Sequence, residues 1–438
     1  MRLSEEQRRI VSSNKPRIYV NSGAGCGKST LISKCIEKDV QSGIKPEAIL
    51  ALSFGTDVRE KNLGDFPDGV LVRTLHQYCW KSIENTLRNR ALILDEERKK
   101  AISGIKKRLK VKGKTEDFIE EIVKAQENPS RKMERDIQKV YREYRLWLKK
   151  NQKFEFSDMI TEATEFFKIN PPLKIKRIYV DEVQDMSEIQ LNCLAVLMKT
   201  CSKIVCVGDT DQHIYGFRGV NPNGILDFIR DMKFKVFHLS ETYRLPKKIT
   251  RSTNELFSFN KNPLRKQMTT HSKEIGKVLS YQCDTEETEQ KVVLNKIRYC
   301  IRNGIPCNQI AVISRNNDLV NRYKSIVPKE VWTGTIFRAK GIEFKSVFLI
   351  GAEEGTFPEI HNKNRYSKAE QIELMEEERR VFAEGVTRTS NRLYITYITS
   401  VRPNGRKGKP SPFLKEMGVT KTIKKTSKDV EKMRKPHL

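Results

Sequence analysis

No stretch of this 438-residue chain is apolar for long enough to cross a bilayer, and the N-terminus, Met1-Arg2-Leu3-Ser4-Glu5-Glu6, has no apolar signal core. The expectation is a soluble, cytoplasmic protein with no membrane partner. The nine cysteines are odd in number and form no CxxC pair. That excludes zinc-ribbon spacing, and the length argues against a disulfide scaffold. Repeats at solenoid spacing are also missing. Acidic residues are in short supply: 55 Asp and Glu face 83 Lys and Arg, for a net charge of +28. Such an excess favours a polyanionic partner, with nucleic acid first in line. Hydrophobic content is a modest 37%, yet apolar segments recur periodically, so the chain is not disordered.

Short β-branched runs alternate with helical patterns. They are Arg17–Asn21, Ile49–Phe54, Arg177–Val180, Lys203–Val207, Ile310–Ser314, Ser346–Ile350 and Leu393–Tyr397. Strands alternating with helices imply an α/β fold with parallel sheets. The first four runs belong to an N-terminal half and the last three to a C-terminal half. Between residues 81 and 153 the chain is charged, helical in pattern and poor in strand signals. Lys106, Lys107, Arg108, Lys110, Lys112 and Lys114 crowd around Gly113 there, either as a solvated face or as an anion-binding one. Residues 418–438 are rich in Lys and poor in apolar residues, and are expected to form a basic mobile tail.

Ile18-Tyr19-Val20-Asn21 runs into Ser22-Gly23-Ala24-Gly25-Cys26-Gly27-Lys28-Ser29-Thr30, followed by the helical pattern of Leu31–Val40. Strand, glycine-rich turn and helix is the arrangement that wraps backbone N–H groups around phosphates. Gly23, Gly25 and Gly27 supply the tight turn, and Cys26 reads simply as a small residue in it. Lys28 would reach the β- and γ-phosphates, and the Ser29 hydroxyl would ligate Mg²⁺. A second apolar run ends in Asp181-Glu182. Asp181 suits Mg²⁺, and Glu182 suits orientation or deprotonation of an attacking water. Gln212 can both donate to and accept from phosphate and water. Tyr215 and Phe217 follow it, beside Arg218. Either ring can stack on a base at roughly 1–3 kcal/mol, or fill a core instead.

These residues, in this order, resemble UvrD/Rep-type DNA helicases of superfamily 1A. Leu3–Gln7 is similar to the family's Q motif, which implies that Gln7 reads adenine. Ser22–Thr30 looks like Walker A, with Thr30 in the nucleotide site. Leu52–Thr56 resembles motif Ia, whose aromatic, here Phe54, contacts bases. Thr74-Leu75-His76 resembles motif Ib, which implies contact of Thr74 and His76 with the DNA backbone. Phe156-Ser157-Asp158-Met159 resembles the segment that re-enters the first core domain. Asp181–Asp185 and Gly208–Gly219 look like motifs II and III. Leu239–Arg244 is similar to motif IV, which places Tyr243 on adenine and Arg244 near the γ-phosphate. Thr335–Phe344 resembles motif V, with Thr335 on DNA and Glu343 near the ribose. Glu377–Arg388 resembles motif VI, with Arg388 at the γ-phosphate.

The resemblance implies two RecA-like P-loop domains with ATP at their interface, and a helical insertion in the first. Residues 1–80 and 154–238 then form domain 1A, 81–153 form 1B, and 239–417 form 2A. Only Asn316–Gly334 lies where the family carries its accessory domain 2B, too short a stretch for one. Thr56-Asp57, Thr242 and Phe337 replace the usual Asn-Lys, Asn and His, changes expected to bear on DNA contact more than on hydrolysis. The implied activity is that of an ATP-dependent DNA helicase or single-stranded DNA translocase, 3′ to 5′, using ATP and Mg²⁺. Its partners would be single-stranded DNA, single-strand/duplex junctions, and DNA-binding, repair or replication proteins. Two alternatives remain open: a translocase that strips proteins from DNA with little unwinding, and an ATP-gated DNA-binding subunit.

Overall fold

Ile18, Tyr19 and Val20 are all fully buried, as expected of a strand flanked by parallel neighbours and covered on both faces. The computed structural model describes residues 3–53, 66–216, 224–360, 366–400 and 408–432. Two compact units divide the chain. The first comprises Met1–Asn21, Lys28–Asp209 and Tyr215–His238, and the second Ser22–Gly27, Thr210–Ile214 and Leu239–Leu438. Residues 22–27 and 210–214, expected in the first domain, thus group with the second. Among the described residues no helix is long and apolar enough to cross a membrane.

In the first unit the strands are β1 (Arg17–Ser22), β2 (Ile49–Ser53), β3 (Leu71–Thr74), β4 (Ala91–Leu92), β5 (Lys153–Phe154), β6 (Arg177–Val180), β7 (Lys203–Gly208) and β8 (Lys235–Leu239). Six of them make one sheet in the order β3-β2-β6-β7-β1-β8. From β3 to β1 the pairings are parallel, with Ile18 opposite Val205, Tyr179 opposite Val205, and Leu50 opposite Ile178. The helix Lys28–Gln41 follows β1 and buries Leu31, Ile32, Cys35 and Ile36 along one face. Strand β2 ends at Ser53, and Phe54, expected within it, lies outside the described residues.

Residues 81–153 carry the helices Asp95–Arg108, Thr115–Glu127 and Arg135–Lys150 around a core that includes Ile102, Ile105, Phe118, Val140 and Tyr144. Arg98 ties this core to Glu155 through bonds of 2.9 and 2.7 Å, and Arg145 grips Asp158 at 2.7 and 3.0 Å. The basic crowd around Gly113 is partly structural. Lys106 is buried, donates to the Gly113 carbonyl at 2.6 Å and lies over the Phe118 ring at 4.4 Å. Arg108 pairs with Glu143. Lys107, Lys110, Lys112 and Lys114 remain exposed.

The second unit begins with a two-strand pairing of β9 (Glu241–Thr242) and β10 (Thr269–Thr270). Its sheet comprises β11 (Lys277–Cys283), β12 (Ile310–Ser314), β13 (Trp332–Thr335), β14 (Phe344–Leu349), β15 (Thr389–Ile398) and β16 (Thr422–Lys425). The order is β13-β12-β14-β15-β11-β16, with parallel pairings throughout. Numbered by appearance within its own sheet, each sheet runs third, second, fourth, fifth, first, sixth. Between Arg315 and Thr335 the chain forms the helix Asn317–Lys324 and strand β13.

Over residues 422–432 the structure departs from the expected mobile tail, and residues 433–438 lie outside the described residues. Thr422–Lys425 pairs with Ser280–Cys283, and the helix Ser427–Lys432 follows. Ser427 donates its backbone N–H (2.9 Å) and hydroxyl (3.1 Å) to Asp284. A lysine-rich segment can serve as an edge strand because only its backbone must pair, while its side chains face solvent.

Candidate nucleotide and nucleic-acid site

Parallel strands deliver their C-terminal ends to one edge of a sheet, where open α/β folds place their chemistry. In the first unit that edge gathers Lys28, Asp181, Glu182 and Asp209. Lys28 Nζ lies 3.1 Å from Glu182 Oε1 and 3.3 Å from Oε2. Burial alone would lower the Lys28 pKa, but Glu182, Asp209 and Asp181 outweigh it and raise the value. The amine therefore stays charged. Asp181 accepts from the Glu182 N–H at 2.9 Å, and Glu182 adopts a left-handed backbone, φ 51°.

Gln184 fixes this arrangement. Its amide donates to Glu182 at 2.6 Å, while its carbonyl accepts from the Asp209 N–H at 3.0 Å. A side chain at Gly208 would put its Cβ 2.5 Å from that same carbonyl oxygen. Gln184 had no role in the sequence reading, because its partner lies 25 residues away. The oxygen donors Ser29 and Asp181 suit Mg²⁺, which binds through few protein ligands and substrate phosphates. Among the described residues no group of three or more His, Cys, Asp or Glu could hold a metal by itself.

In the second unit the glycine-rich turn is held from outside. The Thr242 hydroxyl donates to the Ala24 carbonyl at 2.7 Å, the Tyr243 N–H to the Gly25 carbonyl at 3.0 Å, and the Gly23 N–H to Leu239 at 3.0 Å. Gly25 (φ 69°) and Gly27 (φ 81°) need the left-handed freedom of glycine, and a Cβ at Gly25 would also meet Thr242 Oγ1 at 2.9 Å. Thr242 also accepts from the N–H groups of Arg244 and Leu245, both at 3.3 Å. The departure at Thr242 thus bears on the phosphate loop. The expectation that it concerns DNA contact is corrected, since the side chain is fully buried against that loop.

Arg244 and Arg388 are both largely enclosed. Arg244 pairs with Glu343, and Arg388 with Glu384 at 3.2 Å. Burial, then repulsion from Arg388, lowers the Arg244 pKa. Two neighbouring cations of this kind are poised to take an anion. Gln212 is buried, and its amide nitrogen has no hydrogen-bond partner among the described residues. Its loop is clamped elsewhere: Lys340 donates to the Gln212 carbonyl at 3.2 Å, Arg380 to that of His213 at 2.9 Å, and Arg265 lies 3.3 Å from Asp211. Arg265 carried no local signal in the sequence. Tyr243 is 42% exposed, with its ring tilted against His271 at 5.1 Å. In the first unit, Gln7 is buried, and its side-chain oxygen accepts from the Ser4 N–H at 3.0 Å in a capping box.

The residues expected on DNA divide sharply. Thr74 and Thr335 each end a strand and cap the helix that follows, accepting from Gln77 N–H at 3.2 Å and Arg338 N–H at 3.4 Å. His76 stacks on Phe156, centroids 4.1 Å apart, and burial lowers its pKa to about 4. It is therefore neutral at physiological pH and offers DNA no charge. Phe156, whose ring is part of that stack and 48% exposed, had no DNA role in the sequence reading. Tyr215 is only 8% exposed. Phe54, Thr56, Asp57 and Phe217 lie outside the described residues.

Comparisons with known proteins agree with this geometry. A family model described as UvrD/REP helicase N-terminal domain matches residues 3–233, and one described as UvrD-like helicase C-terminal domain matches 321–400. A probable DNA helicase of Mycoplasma pneumoniae is 26% identical, with 94% of this chain and 86% of that protein covered. The ATP-dependent DNA helicase PcrA of Staphylococcus aureus is 26% identical over 72% of this chain and 48% of its own length. A probable DNA helicase II homolog of Mycoplasma capricolum is 26% identical over 70% and 48%. The chain spans about half the length of these last two.

Proposed function

Because the chain belongs to the UvrD/REP helicase family, we propose that it is an ATP-dependent DNA helicase that moves 3′ to 5′ along single-stranded DNA. The observation that carries this reading is the Lys28–Glu182 pair beside Asp181. An incoming triphosphate competes for Lys28 and releases Glu182 to orient or deprotonate water. Ser29 and Asp181 would hold Mg²⁺, which neutralises phosphate charge. The unpaired Gln212 amide reads the γ-phosphate or the water. Arg244 and Arg388, which disfavour each other, are proposed to take an anion that relieves them and to stabilise charge as the bond breaks. Hydrolysis followed by release of phosphate removes that anion, so the charge balance around both arginines alternates with each turnover and can drive stepping. Tyr243 is proposed to stack on adenine, and Phe217, with the His76–Phe156 stack, to meet bases.

A second reading is favoured by the short span from Arg315 to Thr335, which one helix and one strand fill. With nothing further there to engage a duplex, the motor would translocate and strip proteins but unwind poorly. Unwinding assays on 3′-tailed and 5′-tailed duplexes, with a protein roadblock on parallel substrates, test both. Unwinding of 3′-tailed duplex alone supports the helicase, and roadblock clearance without unwinding supports the stripping translocase. Activity only on 5′ tails contradicts the polarity.

A further inference from the structure

The N-terminal ends of β1, β7 and β8 frame a cleft of about 440 Å³ in the first unit. It sits at the end of the sheet opposite Lys28 and Glu182. With six residues in β1, about 20 Å separate the two ends. Lys15, Arg17, Lys199, Lys233 and Lys235 line the cleft, and no acidic residue does. Among the described residues none of these five cations is held in a salt bridge. Arg17 is nevertheless fixed, donating to the Met232 carbonyl at 2.8 Å. Lys233 takes a left-handed backbone, φ 54°, at a turn where glycine or asparagine sits more easily, and it places an amine on the rim.

The interior of the cleft is different. Pro16 lines it together with Met198 and Ile204, both buried, and no aromatic residue takes part. Single strands of nucleic acid are held by aromatic platforms along a basic track, and this cleft has none. A rim of cations over an aliphatic floor instead suits a peptide that alternates carboxylates with apolar side chains. Strand β8 is also the outermost of its sheet, and an edge strand offers N–H and C=O groups to an extended peptide.

We propose that this cleft docks an acidic, extended segment of a partner protein. The carboxylates meet the lysine rim, and the intervening apolar side chains reach Met198 and Ile204. The site is separate from nucleotide turnover.

A short fluorescein-labelled peptide alternating Asp with Leu, titrated against the full chain by anisotropy, tests this. The triple variant Lys199→Glu/Lys233→Glu/Lys235→Glu is expected to weaken peptide binding at least about tenfold, with ATP turnover and oligothymidylate affinity unchanged. Equal peptide binding in variant and wild type overturns the proposal. So does an oligothymidylate loss as large as the peptide loss, which would assign the cleft to nucleic acid. Efficient displacement of the peptide by inorganic tripolyphosphate would reduce it to a simple anion site and overturns it as well. Should the triple variant fail to fold, Lys235→Glu alone is expected to weaken the peptide about threefold, and no change there rejects the docking site.

Discussion

After its first strand, the first sheet turns through residues 23–27 and starts its helix on Lys28. After β11, the second sheet turns through Asp284 and Thr285 and starts its helix on Glu286. The strand order is the same in both. A helix N-terminus attracts anions, and in the first sheet that position is the one proposed for phosphate. The second fills it with its own carboxylates, Glu286, Glu287 and Glu289, under a Thr285 cap. Glu289 is buried, accepts from the Tyr323 hydroxyl at 2.9 Å, and has its pKa raised by burial. Asp284 is occupied by the C-terminal segment through Ser427. Fold alone therefore does not make a nucleotide site; on the proposed reading, the turn after the first strand does. Strand β3 and its counterpart β13 also agree, each ending on a capping threonine.

The comparison is open to attack from both sheets. Lys28→Ala is expected to lower ATP turnover at least about 100-fold. Glu286→Ala, at the matching first helical residue, should change it less than about twofold. Comparable losses in a steady-state ATPase assay would mean that the second turn also serves the nucleotide. Thr242→Val keeps the shape of the side chain but strands the Ala24 carbonyl, and a loss of about tenfold in ATP turnover is expected. An unchanged rate would show that the phosphate loop holds itself.

Ending the chain at Lys421 removes the sixth strand of the second sheet. A fall in Tm of about 5 °C by calorimetry is expected, and an unchanged Tm would mean that β16 contributes nothing to the sheet. The smallest effect concerns Glu289. Its pKa is raised in the folded state, so its contribution is present below the ordinary carboxylate pKa and lost as pH rises through the raised value. Glu289→Gln does not titrate. The Tm of the variant minus that of wild type should therefore grow with pH across that window, and a constant difference would contradict a buried, titrating carboxyl.

Much of this was legible because central parallel strands are buried on both faces. Ile49–Ser53, Arg177–Val180 and Ile310–Ser314 read as apolar runs and fold as strands with bounds within a residue of expectation. The phosphate loop announces itself through its glycines, since the left-handed backbone of Gly25 and Gly27 favours glycine. Strands β3, β8, β11, β13 and β16 were not legible. All but β11 are outer strands with mixed polar sequences that resemble loops, and β11, although interior, begins on an exposed lysine and alternates polar with apolar residues. Thr242 was misread because its partner, Ala24, lies 218 residues away. Thr74 and Thr335 were visible as polar residues beside a family motif, but their capping bonds depend on backbone geometry that residue types alone do not reveal.

The central claim is that Lys28 and Glu182 turn over ATP in the service of movement on a DNA strand. Steady-state ATPase rates of wild type and Glu182→Gln, with and without oligothymidylate, test it most directly. The account predicts that DNA raises the wild-type rate at least about tenfold and that Glu182→Gln shows essentially no turnover in either condition. A wild-type rate indifferent to DNA, or a Glu182→Gln rate matching wild type, would contradict it.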